Sequence, residues 1–123
     1  MRRVALVMVL VCLAAAGARA QDPVKVDAKH YQVVFENEQV RVLRVQYGPR
    51  EKSVMHAHPS AVAVFLSDQD ARFTLRGGKT IERRAKSGEA QWMPAETHLP
   101  ENLGAQSLAL ILVELKPGAG HAK

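Results

Sequence analysis

Short apolar runs separated by turn residues dominate the chain from Tyr31 onward. Several runs place an apolar residue at every second position, the pattern of a strand with one buried face. Turn signals such as Gly48-Pro49 and Gly77-Gly78 recur about every 6 to 12 residues. The pattern predicts strands over residues 31–36, 39–47, 53–58, 61–66, 71–76, 79–84, 89–93 and 106–115, with an irregular segment over 98–103.

This count of short strands, with no helical period after the first twenty residues, predicts an all-β barrel or sandwich. The 123 residues suit one domain, predicted over residues 31–116. Phe65 and Trp92 are expected to fill its interior. Residues 117–123 are expected to form a flexible tail.

The first twenty residues have the pattern of a secretory signal. A basic start is followed by 13 apolar residues over 4–16, and Ala18-Arg19-Ala20 carries small residues where a signal peptidase cuts. Cleavage is predicted after Ala20, with an uncleaved membrane anchor as the alternative, although the run is short for a membrane span. Residues 21–30 would then be a flexible leader.

Cleavage changes the charge and the cysteine content of the domain. The formal charge of +5 falls when three arginines leave, since 14 basic and 12 acidic side chains remain. No basic run is interleaved with aromatic residues, so we expect no nucleic acid partner. The only cysteine, Cys12, is lost, so no disulfide can form. We predict a periplasmic or secreted protein that does not associate with the membrane after cleavage.

Five histidines follow residue 20, and three of them suggest a site. His56 and His58 lie two residues apart in a predicted strand, so both side chains point to the same face. Neutral imidazole is a common ligand of first-row metals. His98 is the candidate third ligand. His30 and His121 fall in the predicted flexible ends, where we expect them to be solvated.

Two groups of residues resemble the conserved motifs of the cupins. Gly48, His56-Ala57-His58-Pro59 and the apolar strand after them resemble the first motif, a glycine followed by His-x-His. The second motif is matched by Gly88, Pro94, His98 and Asn102. The resemblance covers about residues 31–116. It implies a jelly-roll barrel that holds one divalent metal ion through His56, His58 and His98, with Asn102 stabilising the loop of His98.

The chain departs from that family pattern at its acidic ligand. The glutamate of the first motif should fall near Val62 or Ala63, and both are apolar. Glu96, two residues before His98, is the acid placed to compensate. We consider three roles for Glu96: a substitute ligand, a catalytic general base beside the metal, or a solvated turn residue.

The resemblance and the missing acid leave several functions open. A metal-dependent enzyme acting on a small molecule could be a dioxygenase with Fe, or an isomerase or lyase with Mn, Ni or Zn. Three neutral ligands would leave the ion its full positive charge, which favours anionic or chelating substrates. The alternative is a non-catalytic barrel that binds a small ligand or a metal. The family also implies a possible homodimer formed through edge strands.

Overall fold

The structure, a computed structural model, describes residues 21–118. These residues form one short helix and nine strands, which confirms the all-β prediction. The elements are α1 (Pro23–Val26), β1 (Tyr31–Glu36), β2 (Val40–Tyr47), β3 (His56–His58), β4 (Ala61–Phe65), β5 (Gln69–Leu75), β6 (Thr80–Ala85), β7 (Ala90–Met93), β8 (Glu96–Asn102) and β9 (Leu108–Leu115). The predicted signal segment 1–20 and the end of the predicted tail, with His121, lie outside the described residues.

The strands form two antiparallel sheets. One has five strands in the order β1-β2-β9-β4-β7, and the other has four in the order β3-β8-β5-β6. Within residues 21–118 no strand ladder joins the two sheets, so the prediction of a closed barrel is corrected to two open sheets. The inner faces of both sheets contribute side chains to a common interior, as in a jelly roll.

The core follows the two-residue period of the central strands. Leu43 of β2 lies opposite Leu112 of β9, which in turn lies opposite Ala63 of β4, and all three are buried. Phe65 fills the interior as predicted. Trp92 does not: it pairs with Val62 on the outer face, so the prediction that it is buried is wrong.

The segment predicted as irregular over 98–103 is mostly the regular strand β8. Its burial alternates, with His98, Pro100 and Asn102 buried. Pro100 has no N–H to donate to a strand ladder. Its carbonyl instead accepts from Ser53, so the chain stays extended through it.

Residues 22–30 also differ from the predicted flexible leader. Asp22 caps α1 by accepting from the Val24 N–H, and Pro23 is buried. His30 is buried and stacks on Tyr47, with ring centroids 4.3 Å apart, so the prediction of a solvated His30 is wrong. Burial of Pro23 and His30 anchors this segment on the domain, although its polar sequence predicted no such contact. Over the described part of the chain, no helix is long and apolar enough to span a bilayer.

Candidate metal centre

Strand pairing brings the three predicted histidines together. His56 and His58 point inward from β3, and β3 pairs with β8 so that His56 lies directly opposite His98. All three side chains are buried. The centroids of the His56 and His98 rings are 5.1 Å apart, and those of His58 and His98 are 5.3 Å apart.

The hydrogen-bond partners of the three rings define which nitrogen carries the proton. Nδ1 of His56 lies 2.8 Å from the carbonyl oxygen of Val54. Nδ1 of His58 lies 2.7 Å from a carboxylate oxygen of Glu114, and Nδ1 of His98 lies 2.7 Å from one of Glu96. Each of these oxygens accepts a hydrogen bond, so each Nδ1 donates, and in the neutral ring Nε2 carries the lone pair that can bind a metal.

The three Nε2 lone pairs therefore face one another in a buried space. Each histidine offers a ligand atom within 4.8 Å of those of the others, and the Nε2 atoms of His56 and His58 are 3.0 Å apart. Nitrogens bound to one ion at about 2.0–2.1 Å are about 2.9–3.4 Å apart, depending on the coordination geometry. At that distance a shared proton or a cation has to lie between the two nitrogens, because two lone pairs alone would repel each other. The site thus fits a metal ion.

Burial also keeps His56 and His98 in the neutral form that binds metals. It lowers the pKa of His56 to about 3, helped by the neighbouring His58 and His98. Burial likewise lowers the pKa of His98 to about 4, although the hydrogen bond to Glu96 acts in the opposite direction. At neutral pH neither ring has to lose a proton before it binds an ion.

A buried carboxylate, which the sequence analysis missed, holds His58. Glu114 of β9 is 2% exposed and accepts from His58 through one oxygen. Its other oxygen accepts from Nε of Arg41 at 2.7 Å. Arg41 also binds both carboxylate oxygens of Asp22, at 2.8 and 3.0 Å. One continuous network thus joins the N-terminal segment to a histidine of the centre.

A second carboxylate–arginine pair lies behind His98. Glu96 accepts from both terminal nitrogens of Arg83, each at 2.8 Å, and the guanidinium lies 4.6 Å from the centroid of the Phe73 ring. The Arg83 contact lowers the pKa of Glu96 to about 2, so this group is an ionised carboxylate at neutral pH. Glu96 is thus placed beside His98 as predicted, and its contacts orient that ring. Its catalytic role stays a prediction.

Asn102 stabilises the end of β8, in the manner expected from its motif position. Its amide nitrogen donates to the carbonyls of Gly48 and Gln106, at 3.0 and 2.8 Å, and its oxygen accepts from Gly104. The residue is 2% exposed. The hydrogen bonds tie two loops, the one after β2 and the one between β8 and β9, to the strand that carries His98.

The centre opens onto a small apolar cavity of about 60 Å³ between the two sheets. His58, His98 and Glu96 line it on one side, and its apolar walls include Phe73 and Leu112. A buried water needs about 10–15 Å³ of such space, so the cavity has room for a ligand of only a few non-hydrogen atoms. Tyr31 also lines it and contacts the centre, with its ring 4.8 Å from that of His56.

Comparison with known proteins identifies the architecture. Neither a family model nor a curated protein sequence matches the chain. Solved structures do. A cupin domain from Bordetella pertussis Tohama I is 19% identical, with a TM-score of 0.65 over 70% of this chain and 91% of that one.

Two further structures agree with that match. A protein with a double-stranded β-helix domain from Klebsiella pneumoniae is 22% identical, with a TM-score of 0.57 over 73% of this chain and 78% of that one. An RmlC-like cupin family protein from Methanocaldococcus jannaschii is 15% identical, with a TM-score of 0.56 over 69% of this chain and 77% of that one. The chain has the cupin fold. Its resemblance to the cupins, seen first in two sequence motifs, is thereby confirmed at the level of fold.

Within the cupin fold of this chain, the candidate ligand set has no acid. Among residues 21–118, the three histidines form the one group of metal-binding side chains close enough to share an ion. Ala63, one of the two positions where the motif glutamate was expected, is buried on β4 and lines the cavity. Both carboxylates near the centre contact the Nδ1 side of a ring instead.

Proposed function

We propose that this protein binds one divalent first-row metal ion through Nε2 of His56, His58 and His98, and that the bound ion takes up a small molecule in the adjoining cavity. The observation that carries the proposal is the convergence of three Nε2 lone pairs, each with its Nδ1 proton donated to a fixed acceptor. Three protein ligands leave at least one coordination position free, as in catalytic rather than structural sites.

The surroundings of the centre support an anionic or chelating small molecule. Neither carboxylate lies in the space between the three Nε2 atoms: Glu96 is paired with Arg83 behind His98, and Glu114 shares Arg41 with Asp22 behind His58. A bound divalent ion would therefore keep most of its charge for an exogenous ligand. The cavity limits the rest of that ligand to a short apolar group.

We further propose that the centre is catalytic, as a dioxygenase with Fe or as an isomerase or lyase with Mn, Ni or Zn. A bound metal would supply Lewis acidity or redox chemistry. The chain would contribute the apolar walls that exclude water, and the fixed ring orientations that Glu96 and Glu114 enforce. Glu96 lines the cavity and could accept a proton there, but its low pKa makes it a weak base.

Metal analysis tests the binding proposal directly. The full chain, purified without a histidine tag after growth with added metals, should contain about one ion per chain. His56→Ala and His98→Ala should each lose it. His30→Gln is the matched control, because it removes a buried imidazole that lies outside the cluster. Metal-free wild-type protein that also fails to bind added Fe(II), Mn(II), Ni(II) or Zn(II) would contradict the proposal.

Turnover is tested separately from binding. Oxygen uptake by the iron-loaded protein should be measured against a panel of small diketones and thiols, with the His98→Ala variant as the blank. Uptake that depends on His98 supports a dioxygenase. A flat response, with stoichiometric metal still present, contradicts the dioxygenase but leaves the metal-binding proposal standing.

We also propose that the protein is exported. The support is the sequence pattern of residues 1–20, which resembles a cleavable signal. Intact mass measurement after expression with its own N-terminus should show a chain that begins at Gln21, in the periplasmic or external fraction. A full-length chain in the cytoplasm would contradict export.

A further inference from the structure

One of the three imidazoles has no carboxylate in direct contact. Nδ1 of His58 and Nδ1 of His98 each donate to a glutamate. Nδ1 of His56 donates instead to the backbone carbonyl oxygen of Val54. A neutral carbonyl is a weaker acceptor than an ionised carboxylate. The other groups around His56 therefore decide how firmly its proton is held on Nδ1.

A carboxylate lies one hydrogen bond further from His56. The hydroxyl oxygen of Ser53 is 3.3 Å from Nδ1 of His56, and the same hydroxyl donates to a carboxylate oxygen of Asp27. Ser53 is buried, and the side chain of Asp27 is 10% exposed. These contacts form a chain in which Asp27 can act on His56 through Ser53.

The direction of the Ser53 hydroxyl determines which tautomer of His56 is favoured. A serine hydroxyl has one hydrogen and two lone pairs. While Asp27 takes that hydrogen, Ser53 presents a lone pair to His56, so both oxygens beside Nδ1 are acceptors. Nδ1 then carries the proton and Nε2 the lone pair. If the hydrogen turned to Nδ1 instead, the ring proton would move to Nε2, where it would block a metal ion.

We propose that Asp27 is a positioning residue for the metal centre, and that through Ser53 it holds His56 in the tautomer whose Nε2 can bind an ion. The inference rests on the metal binding proposed above. Each of the three imidazoles would then be backed by a carboxylate, two of them directly and the third through a hydroxyl. None of these carboxylates would need to touch the ion.

Asp27 belongs to the N-terminal segment, residues 21–30, which contacts β3 at a second point. The carbonyl oxygen of Gln21 accepts from the N–H of Ala57 at 2.9 Å, and Ala57 lies between the two histidines of β3. A separate network joins the same segment to His58. Under the proposal, docking of this segment and metal binding are coupled, and each strengthens the other.

A double-mutant cycle on Asp27 and Ser53 tests the chain of contacts in the full-length protein. Zn²⁺ affinity is measured by competition with a chelator for the wild type, Asp27→Ala, Ser53→Ala and the double variant. Each single change should weaken binding about tenfold, as loss of an orienting group behind a metal-bound histidine does. The double variant should also lose about tenfold, because both changes break the same chain. Unchanged affinity in either single variant, or a hundredfold loss in the double variant, would overturn the proposal.

The ring-nitrogen chemical shifts of His56, measured by NMR on metal-free protein, give a readout that lost stability alone would not move. Nδ1 should carry the proton in the wild type, and a larger share of the proton should lie on Nε2 in Asp27→Ala. The same distribution in both proteins would overturn the proposal. Because this readout needs no metal, a wild type that bound no ion but showed the shift would refute the metal site and support the role of Asp27.

His30→Gln is the matched control, because His30 is the other donor to the same oxygen of Asp27. The change leaves the contact between Asp27 and Ser53 in place, so metal affinity and the His56 tautomer should match the wild type. Circular dichroism should show that each variant is folded, and Ser53→Ala still tests the proposal if Asp27→Ala is not. A loss in His30→Gln as large as in Asp27→Ala would overturn the proposal, since packing of the N-terminal segment would then explain both.

Discussion

Replacement of Glu114 by glutamine tests whether the carboxylates behind the imidazoles prepare the metal centre. The carboxylate now accepts two hydrogen bonds, from His58 and from Arg41, both at 2.7 Å. A glutamine amide has one oxygen and one NH₂ group, so it can accept from only one of these donors. Either choice brings the amide NH₂ against an N–H group.

The two outcomes of that conflict have different consequences. If the amide oxygen serves Arg41, its NH₂ group faces Nδ1 of His58, and the ring proton is driven to Nε2, where it blocks the metal. If the oxygen serves His58, the NH₂ group opposes the Arg41 guanidinium and one buried donor is unpaired. We expect metal affinity to fall about 10- to 100-fold, or about 1.4–2.7 kcal/mol. The free energy of unfolding of the metal-free protein should fall by about 1–3 kcal/mol.

Zn²⁺ or Co²⁺ titration of metal-free protein, in competition with a chelator, measures the affinity. Glu82→Gln is the control, because Glu82 is exposed and its arginine contacts are 3.7 and 3.9 Å long. It should bind like the wild type, and His58→Ala should show the loss of a full ligand. If Glu114→Gln bound metal as tightly as the wild type while His58→Ala did not, the orienting role of Glu114 would be refuted.

Three further changes test the rest of the network. Glu96→Gln should weaken metal binding about tenfold in the same titration, because Glu96 holds the His98 ring as Glu114 holds that of His58; an unchanged affinity would contradict this. Asp22→Asn should lower the free energy of unfolding by about 0.5–1 kcal/mol at pH 7, through loss of the ion pair with Arg41, because asparagine caps a helix as well as aspartate does. Hydrogen bonding from Arg41 lowers the pKa of Asp22, so this contribution is present above the unfolded pKa and is lost as the pH falls through the folded one. Urea unfolding at pH 7 and pH 3 should therefore show a smaller difference between Asp22→Asn and wild type at pH 3, and an equal one would refute the pairing. Asn102→Ala should cost about 1–3 kcal/mol in urea unfolding, since three backbone groups lose their hydrogen bonds to a buried side chain; a cost below about 0.5 kcal/mol would show that water replaces it.

The strands and the paired histidines could be predicted because both depend on the sequence pattern of neighbouring residues. A two-residue period places His56 and His58 on one face whatever the rest of the chain does. The position of His98 depends on which strand pairs with β3 and in what register, and His98 follows its partner His56 by 42 residues. Only the motif resemblance supplied that information before the structure did. Burial of His30 was missed for the same reason, since a nearby polar sequence gave no sign of the distant Tyr47 ring.

Glu114 was missed although the sequence contains a sign of it. Residues 108, 110, 112 and 114 of β9 point inward, and the first three are leucines. A single acid at the inward phase of an apolar strand has to be paired, because an isolated charge is too costly to bury. Its partners, Arg41 and His58, lie on two other strands and could not be read from the strand itself.

The position of Glu114 in the sheet also shows that the centre has an acid nearby, although the glutamate of the first motif is missing. The glutamate implied by the family would lie on β4 near Val62 or Ala63, and Glu114 of the adjacent strand β9 lies directly opposite Ala61. An acid is therefore present beside the centre, but it meets the Nδ1 face of His58 rather than the space between the three Nε2 atoms. A carboxylate in that space would cancel part of the charge of a bound ion, whereas one behind the ring strengthens the imidazole as a ligand. If the centre binds a divalent ion as proposed, it would combine the firm orientation that a carboxylate provides with the positive charge that attracts an anionic ligand.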